Sequence, residues 1–153
     1  MKSRCSRPCR VVDPDADTPM RRDLQLVREP LDEDVLRRGR SAFAGAGAVL
    51  QFLGIVRGTE GSDAIRALDY EAFEPMAVHQ FEKLFDALER RWPRVESVRL
   101  VHRVGIVPVG EASLWVEIVS PHRGEAFESC QWLIDEMKRV VPIWKQAVPG
   151  GSG

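Results

Sequence analysis

The chain is poor in the residues that most often build special chemistry. Its 153 residues hold three cysteines, three histidines and one tyrosine. So few cysteines, odd in number, make no disulfide framework and fit a reducing compartment, so a cytoplasmic location is expected. Cys5 and Cys9 have a metal-like spacing, but no second Cys/His pair accompanies them. No histidine pair or carboxylate cluster has ligand spacing either, so neither a metal nor another cofactor is expected. Charge of one sign is also lacking. Lys+Arg 22 against Asp+Glu 23 leaves a net charge of -1, which gives no bulk attraction to nucleic acid or to an anionic membrane. Long apolar runs are absent: the longest is broken at Gly54 and Arg57, well short of the ~20 residues that cross a bilayer. The first residues are basic but lead into no apolar stretch, so no secretory signal is expected. Any anion must be recognised by a local arrangement of side chains.

What is present is patterned for one domain, large enough to bury a core without metals or disulfides. Residues 1–22 are rich in Arg, Asp, Pro and Ser without periodicity and are expected to be a disordered extension. The domain is expected over 23–148, with a flexible tail at 149–153. Leu24 to Arg28 predicts a short strand and Leu31 to Arg40 a helix whose first turn holds Asp32, Glu33 and Asp34. Ala48 to Val56 predicts a buried strand, and Ile65 to Phe73 a second one paired with it across the loop GTEGSD. A helix is expected from Pro75 to Trp92, with Val78, Phe81, Leu84, Phe85 and Leu88 on its core face. Val95 to Val104 and Glu111 to Val119 predict two strands joined through GIVPVG. The fold class expected is α+β, an antiparallel sheet with hairpins and three helices packed on it. GAGAV and GTEGSD lack both dinucleotide and P-loop spacing, so no nucleotide fold is expected.

Candidate chemistry concentrates in SPHRGEAFESCQWLIDEMKRVVPIWK, residues 120–145. Ser120 and Pro121 predict a helix start, with the hydroxyl capping free N–H groups. Ala126, Phe127, Cys130, Leu133, Ile134, Met137 and Val141 recur at three and four, giving a core-facing stripe. His122 and Arg123 then fall in the first turn, where the helix dipole disfavours cations unless an anion binds beside them. Pro142 ends the helix, leaving Lys138 in the last turn and Lys145 on a separate short segment, so the two lysines can converge on a pocket. Taken singly, each lysine has an ordinary explanation as a solvated surface charge. Arg57 ends a strand and opens a glycine-bearing loop, a position where its planar fork could hold a phosphate. His102 and Arg103 are strand neighbours pointing to opposite faces, so they cannot act as one pair. Cys130 lies on the apolar stripe and is expected in the core.

Five segments carry a resemblance, in order along the chain: LQFLGIVRG at 50–58, LDYEAFEPMA at 68–77, VHRVGIVPVGE at 101–111, SPHRGEAFESC at 120–130 and MKRVVPIWK at 137–145. Together they resemble the large, catalytic subunit of molybdopterin synthase. The resemblance implies that family's α/β hammerhead fold and a sulfurtransferase that builds the molybdopterin dithiolene for molybdenum cofactor biosynthesis. It implies a pterin phosphate substrate, cyclic pyranopterin monophosphate. It implies a small ubiquitin-like partner whose C-terminal Gly-Gly thiocarboxylate supplies sulfur, and a homodimer of this chain within a heterotetramer. By motif position, Lys138 and Lys145 carry over as catalytic, and Arg57, His122 and Arg123 as the substrate-phosphate cradle. Gln146 and Ala147 follow Lys145 where the family usually carries an acidic residue. The short tail VPGGSG that follows, where the family usually carries a longer one, is the ground for the alternative, a catalytically idle relative that binds the small sulfur carrier.

Overall fold

Period-two alternation decides which face of the main sheet is buried. Val98 and Leu100 on one strand, and Leu114, Val116 and Ile118 on its neighbour, all point into one core. The computed structural model describes residues 18–151. In chain order the elements are β1 (Arg21–Val27), α1 (Glu33–Arg38), β2 (Ala48–Ile55), β3 (Thr59–Glu60), β4 (Asp63–Ala72), α2 (Glu74–Arg91), β5 (Ser97–Arg103), β6 (Gly105–Pro108), β7 (Ala112–Ser120), α3 (Arg123–Val140) and β8 (Ile143–Pro149). One sheet runs β1-β5-β7-β2, with β1 parallel to β5 and the other pairs antiparallel. The second is built on β4, which pairs antiparallel with β3, β6 and β8.

Helices α2 and α3 cover one face of the first sheet. Ala77, Phe81, Leu84, Phe85 and Leu88 of α2 interlock there with Ala126, Cys130, Leu133, Ile134 and Met137 of α3. Their three- and four-residue spacing is the helical stripe the sequence predicts. Cys130 is buried, and burial pushes its thiol up to about 11, so it acts as a small core hydrophobe. The opposite face carries Arg99, Trp115 and Glu117, under the segment that follows α1. Glu117 is fully inaccessible and accepts hydrogen bonds from Arg40, Gln51 and Arg99. The Arg99 guanidinium also lies 5.0 Å over the Trp115 ring.

The α+β class holds, with three helices among the described residues, but the described strands divide into two sheets and one pair is parallel. Several finer expectations change. The first strand begins at Arg21, ahead of Leu24, and Met20 is buried with its N–H on Glu89, so ordered structure starts before residue 23. The charge on Arg21 and Arg22 hides this in the sequence; Arg22 is neutralised by Asp86 and Glu89 of α2. Residues 1–17, with Cys5 and Cys9, lie outside the described residues. Strands β2 and β4 do not pair with each other. Strand β2 is an edge, with Val49, Phe52 and Ile55 exposed rather than buried. GIVPVG is no mere connection, since β6 within it joins β4 of the second sheet. Val78 and Phe127, expected on core faces, are exposed. The tail is not free from residue 149: Pro149 pairs with Ile65, and the Gly150 N–H reaches the Ala64 carbonyl.

Candidate functional site

Arg57 is delivered by a clamped strand end. Val56 is buried, its N–H bonded to the Glu111 carbonyl and its own carbonyl accepting the Gly110 N–H. The next residue, Arg57, emerges exposed. The chain then turns through β3, where Gly61 at φ 61 occupies the left-handed region that side chains disfavour, and returns as β4.

Strand β8 brings Lys145 to the same edge. It pairs with β4 over seven positions, setting Lys145 opposite Tyr70. Tyr70 is fixed by its hydroxyl on Ser113 Oγ at 3.2 Å and by edge contact with the His102 ring at 5.1 Å. Lys145 Nζ lies 2.6 Å from Glu60 Oε1. That hydrogen bond and charge, with Arg57 adding to the field, hold the Glu60 carboxyl below its ordinary range. Arg57, Glu60 and Lys145 therefore share one electrostatic neighbourhood.

Lys138 sits exposed in the last turn of α3. The helix closes with the Val141 N–H on the Met137 carbonyl, and β8 starts at Ile143 beyond Pro142. Lys138 and Lys145 thus belong to the helix end and the strand start joined by that proline.

His122 and Arg123 stand at the other end of α3. His122 is the N-cap residue and Arg123 the first helical one, both exposed. Ser120 closes β7 rather than capping the helix directly; its hydroxyl accepts from the His122 N–H and donates to the His122 carbonyl. Glu125, ion-paired with Arg94, adds the acid of the first turn. Gly47 packs so closely here that a Cβ would overlap the Pro121 carbonyl. Gly47→Ala is therefore expected to cost about 1–3 kcal/mol, because the obstacle is backbone and cannot swing aside. Thermal melting checks this.

From Arg123 to Lys138 the helix rises about 22 Å at 1.5 Å per residue. The residues that the resemblance assigns do not all gather within one chain: Arg57 and Lys145 share an edge, while His122 and Arg123 lie a helix length from Lys138. His102 is buried; burial lowers its pKa against a weaker opposing hydrogen bond to the Arg103 carbonyl, which makes it a neutral structural residue. An open cavity of about 420 Å³ lies beside Trp144, but Asp69, Glu71 and Glu74 outweigh Arg28 around it, so it does not suit an anion. Sequence reasoning missed Glu60, Tyr70 and the pairing of β8 that aligns them. Among the described residues no group of His, Cys, Asp and Glu is placed to hold a metal. No described helix is long and apolar enough to cross a membrane.

These features define a two-sheet α+β domain with exposed cations at its edges, and that class is populated by known proteins. The family described as MoaE protein matches residues 26–140. The chain is 39% identical over 126 residues to the molybdopterin synthase catalytic subunit of Bacillus subtilis, covering 81% of this chain and 78% of that protein. It is 38% identical over 129 residues to the molybdopterin synthase catalytic subunit of Drosophila erecta, covering 84% of this chain but 35% of the relative, so it spans about a third of that protein's length. The crystal structure of molybdopterin synthase from Staphylococcus aureus superposes with a TM-score of 0.75 at 29% identity, covering 84% of this chain and 92% of that one. The chain belongs to the MoaE protein family.

Proposed function

We propose that the chain is the catalytic subunit of a molybdopterin synthase, working in the cytoplasm as a sulfurtransferase. It moves sulfur from the C-terminal thiocarboxylate of a small ubiquitin-like subunit to cyclic pyranopterin monophosphate. The observation that carries this reading is that Lys145 directly and Arg57 through its charge both act on the Glu60 carboxylate, in a chain of this family. A guanidinium and an ammonium that act on one carboxylate suit a phosphate, which accepts several hydrogen bonds at once. Lys138, free of ion pairs among the described residues, suits the thiocarboxylate carbonyl, where its charge stabilises the oxygen as water adds to the acyl carbon and the acyl–sulfur bond breaks, leaving a carboxylate and the sulfur on the substrate. Lys145 doubles as substrate anchor and general acid/base. Product formation from purified chain, thiocarboxylated partner and cyclic precursor tests the reading. Binding of the partner without product selects the idle relative instead.

His122 and Arg123 enter through a second copy. Too far along α3 to share one small substrate with Lys138, they complete the site if a homodimer sets the start of α3 in one copy against the Lys138 end of the other. Two small subunits then make the heterotetramer. This predicts complementation. Arg123→Ala and Lys138→Ala chains, each inactive alone, are expected to regain about a quarter of wild-type activity after equimolar subunit exchange, since half the dimers are mixed and each holds one intact site. Sites confined to single chains would give no recovery.

A further inference from the structure

Glu60 has a placement that the proposed chemistry leaves unused. It pairs with Asp63 across the β3–β4 hairpin, and Gly61 at φ 61 makes the tight reversal that holds it there. From this tip Oε1 reaches Lys145 Nζ at 2.6 Å. Among the described residues Glu60 is the ion-pair partner of Lys145, and Arg57 acts on the same carboxylate. The side chains of Lys145 and Glu60 are 50% and 37% exposed. An ion pair so open to water is weak, so a better anion can take it apart.

The Glu60 carboxylate thus occupies the place where an anionic ligand would put its own oxygens. Resting on the reading of Arg57 and Lys145 as the anion-holding edge, we propose that Glu60 is an internal competitor: it holds Lys145 while the site is empty and is displaced by a phosphate-bearing ligand. Its carboxylate thereby sets the affinity and selectivity of that edge. For a simple carboxylate the exchange is close to charge-neutral, because one singly charged oxygen pair replaces another. A phosphate dianion brings an additional charge and a third oxygen against the same two cations, so it can engage Arg57 while displacing Glu60 from Lys145. The hairpin tip makes the exchange easy, since Glu60 can swing into solvent without breaking the β4–β8 ladder.

The test titrates the purified chain with inorganic phosphate, and separately with acetate, following Arg57 and Lys145 side-chain signals by NMR. Glu60→Gln keeps the shape and removes the competing charge. It is expected to tighten phosphate binding about fivefold, the size of one exposed ion pair. Acetate, weaker than phosphate on the wild-type chain, is expected to gain as well. In a Lys145→Ala background the gain from Glu60→Gln is expected to shrink to less than about twofold, because only the weaker hold of Arg57 on the carboxylate is then left to release. Unchanged or weakened phosphate binding in Glu60→Gln would overturn the proposal, and so would the full gain of about fivefold without Lys145. The titration needs neither partner nor pterin, so it can fail in a chain that makes molybdopterin and succeed in one that does not.

Discussion

Lys138→Ala is expected to reduce molybdopterin formation at least about 100-fold, the usual scale for removing a group that stabilises charge at the reacting atom. Its melting temperature is expected to stay within about 2 °C of the parent, as for other exposed substitutions. Both halves follow from the same position. Lys138 is exposed in the last turn of α3 and has no ion pair among the described residues, so little stability rests on it. It does favour the helix dipole there, but that contribution is a few tenths of a kcal/mol. The side chain is therefore free to meet a ligand that arrives from outside. Product assay and thermal melt on one preparation check the pair of outcomes. A large fall in melting temperature would show that the lysine is structural. Wild-type turnover would remove it from the chemistry.

Glu117→Ala is expected to cost about 3 kcal/mol of stability, because it strands cations beside a sheet that excludes water. Glu117 is fully inaccessible on β7, while Arg40 and Arg99 beside it are 28% and 11% exposed. Burial alone would raise the Glu117 pKa. Hydrogen bonds from Arg40, Gln51 and Arg99, with the Arg40 charge, outweigh it and leave the carboxyl below its ordinary value. A depressed folded pKa contributes stability that is present above the unfolded carboxylate value, near 4.3, and is lost as pH falls through the folded value. Glu89 has the same sign, from the Met20 N–H first and then Arg22. The wild-type chain should therefore lose stability below about pH 4, and the Glu117→Ala chain should show a shallower loss. Urea unfolding at neutral and acid pH measures both. A variant as stable as the parent would mean that the cluster does not tie the segment after α1 to the sheet.

The helices and their cores were legible because burial on one side imposes a period that composition cannot hide. Phe81, Leu84, Phe85 and Leu88 on α2, and Cys130, Leu133, Ile134 and Met137 on α3, follow directly from it. Val78 and Phe127 mislead because an apolar residue at the margin of a stripe can face solvent at little cost. Strand pairing was less legible. β2 and β4 are neighbours in sequence, yet β2 lies against β7 and β4 against β8, and only long-range packing decides between those partners. Strand β8 was hidden because Trp144, Lys145, Gln146 and Ala147 are all exposed, so no alternation marks it, and prolines stand at both ends.

Candidate site residues can be nominated from the sequence one at a time, but their arrangement in space cannot. Charge type and position nominate Arg57, His122, Arg123, Lys138 and Lys145. The length of α3 separates them, and length enters a sequence reading only after the helix has been given an axis. Glu60 carries no local signal beyond its charge, since its meaning comes from the register that places β8 beside β4 and the hairpin that returns β3 toward it.

The most direct measurement records the mass of the small subunit's C terminus while it is incubated with this chain and cyclic pyranopterin monophosphate. Sulfur transfer predicts that the thiocarboxylate becomes a carboxylate in step with dithiolene formation, and that both changes stop in Lys138→Ala. A stable complex in which the thiocarboxylate persists and no dithiolene forms would contradict the account.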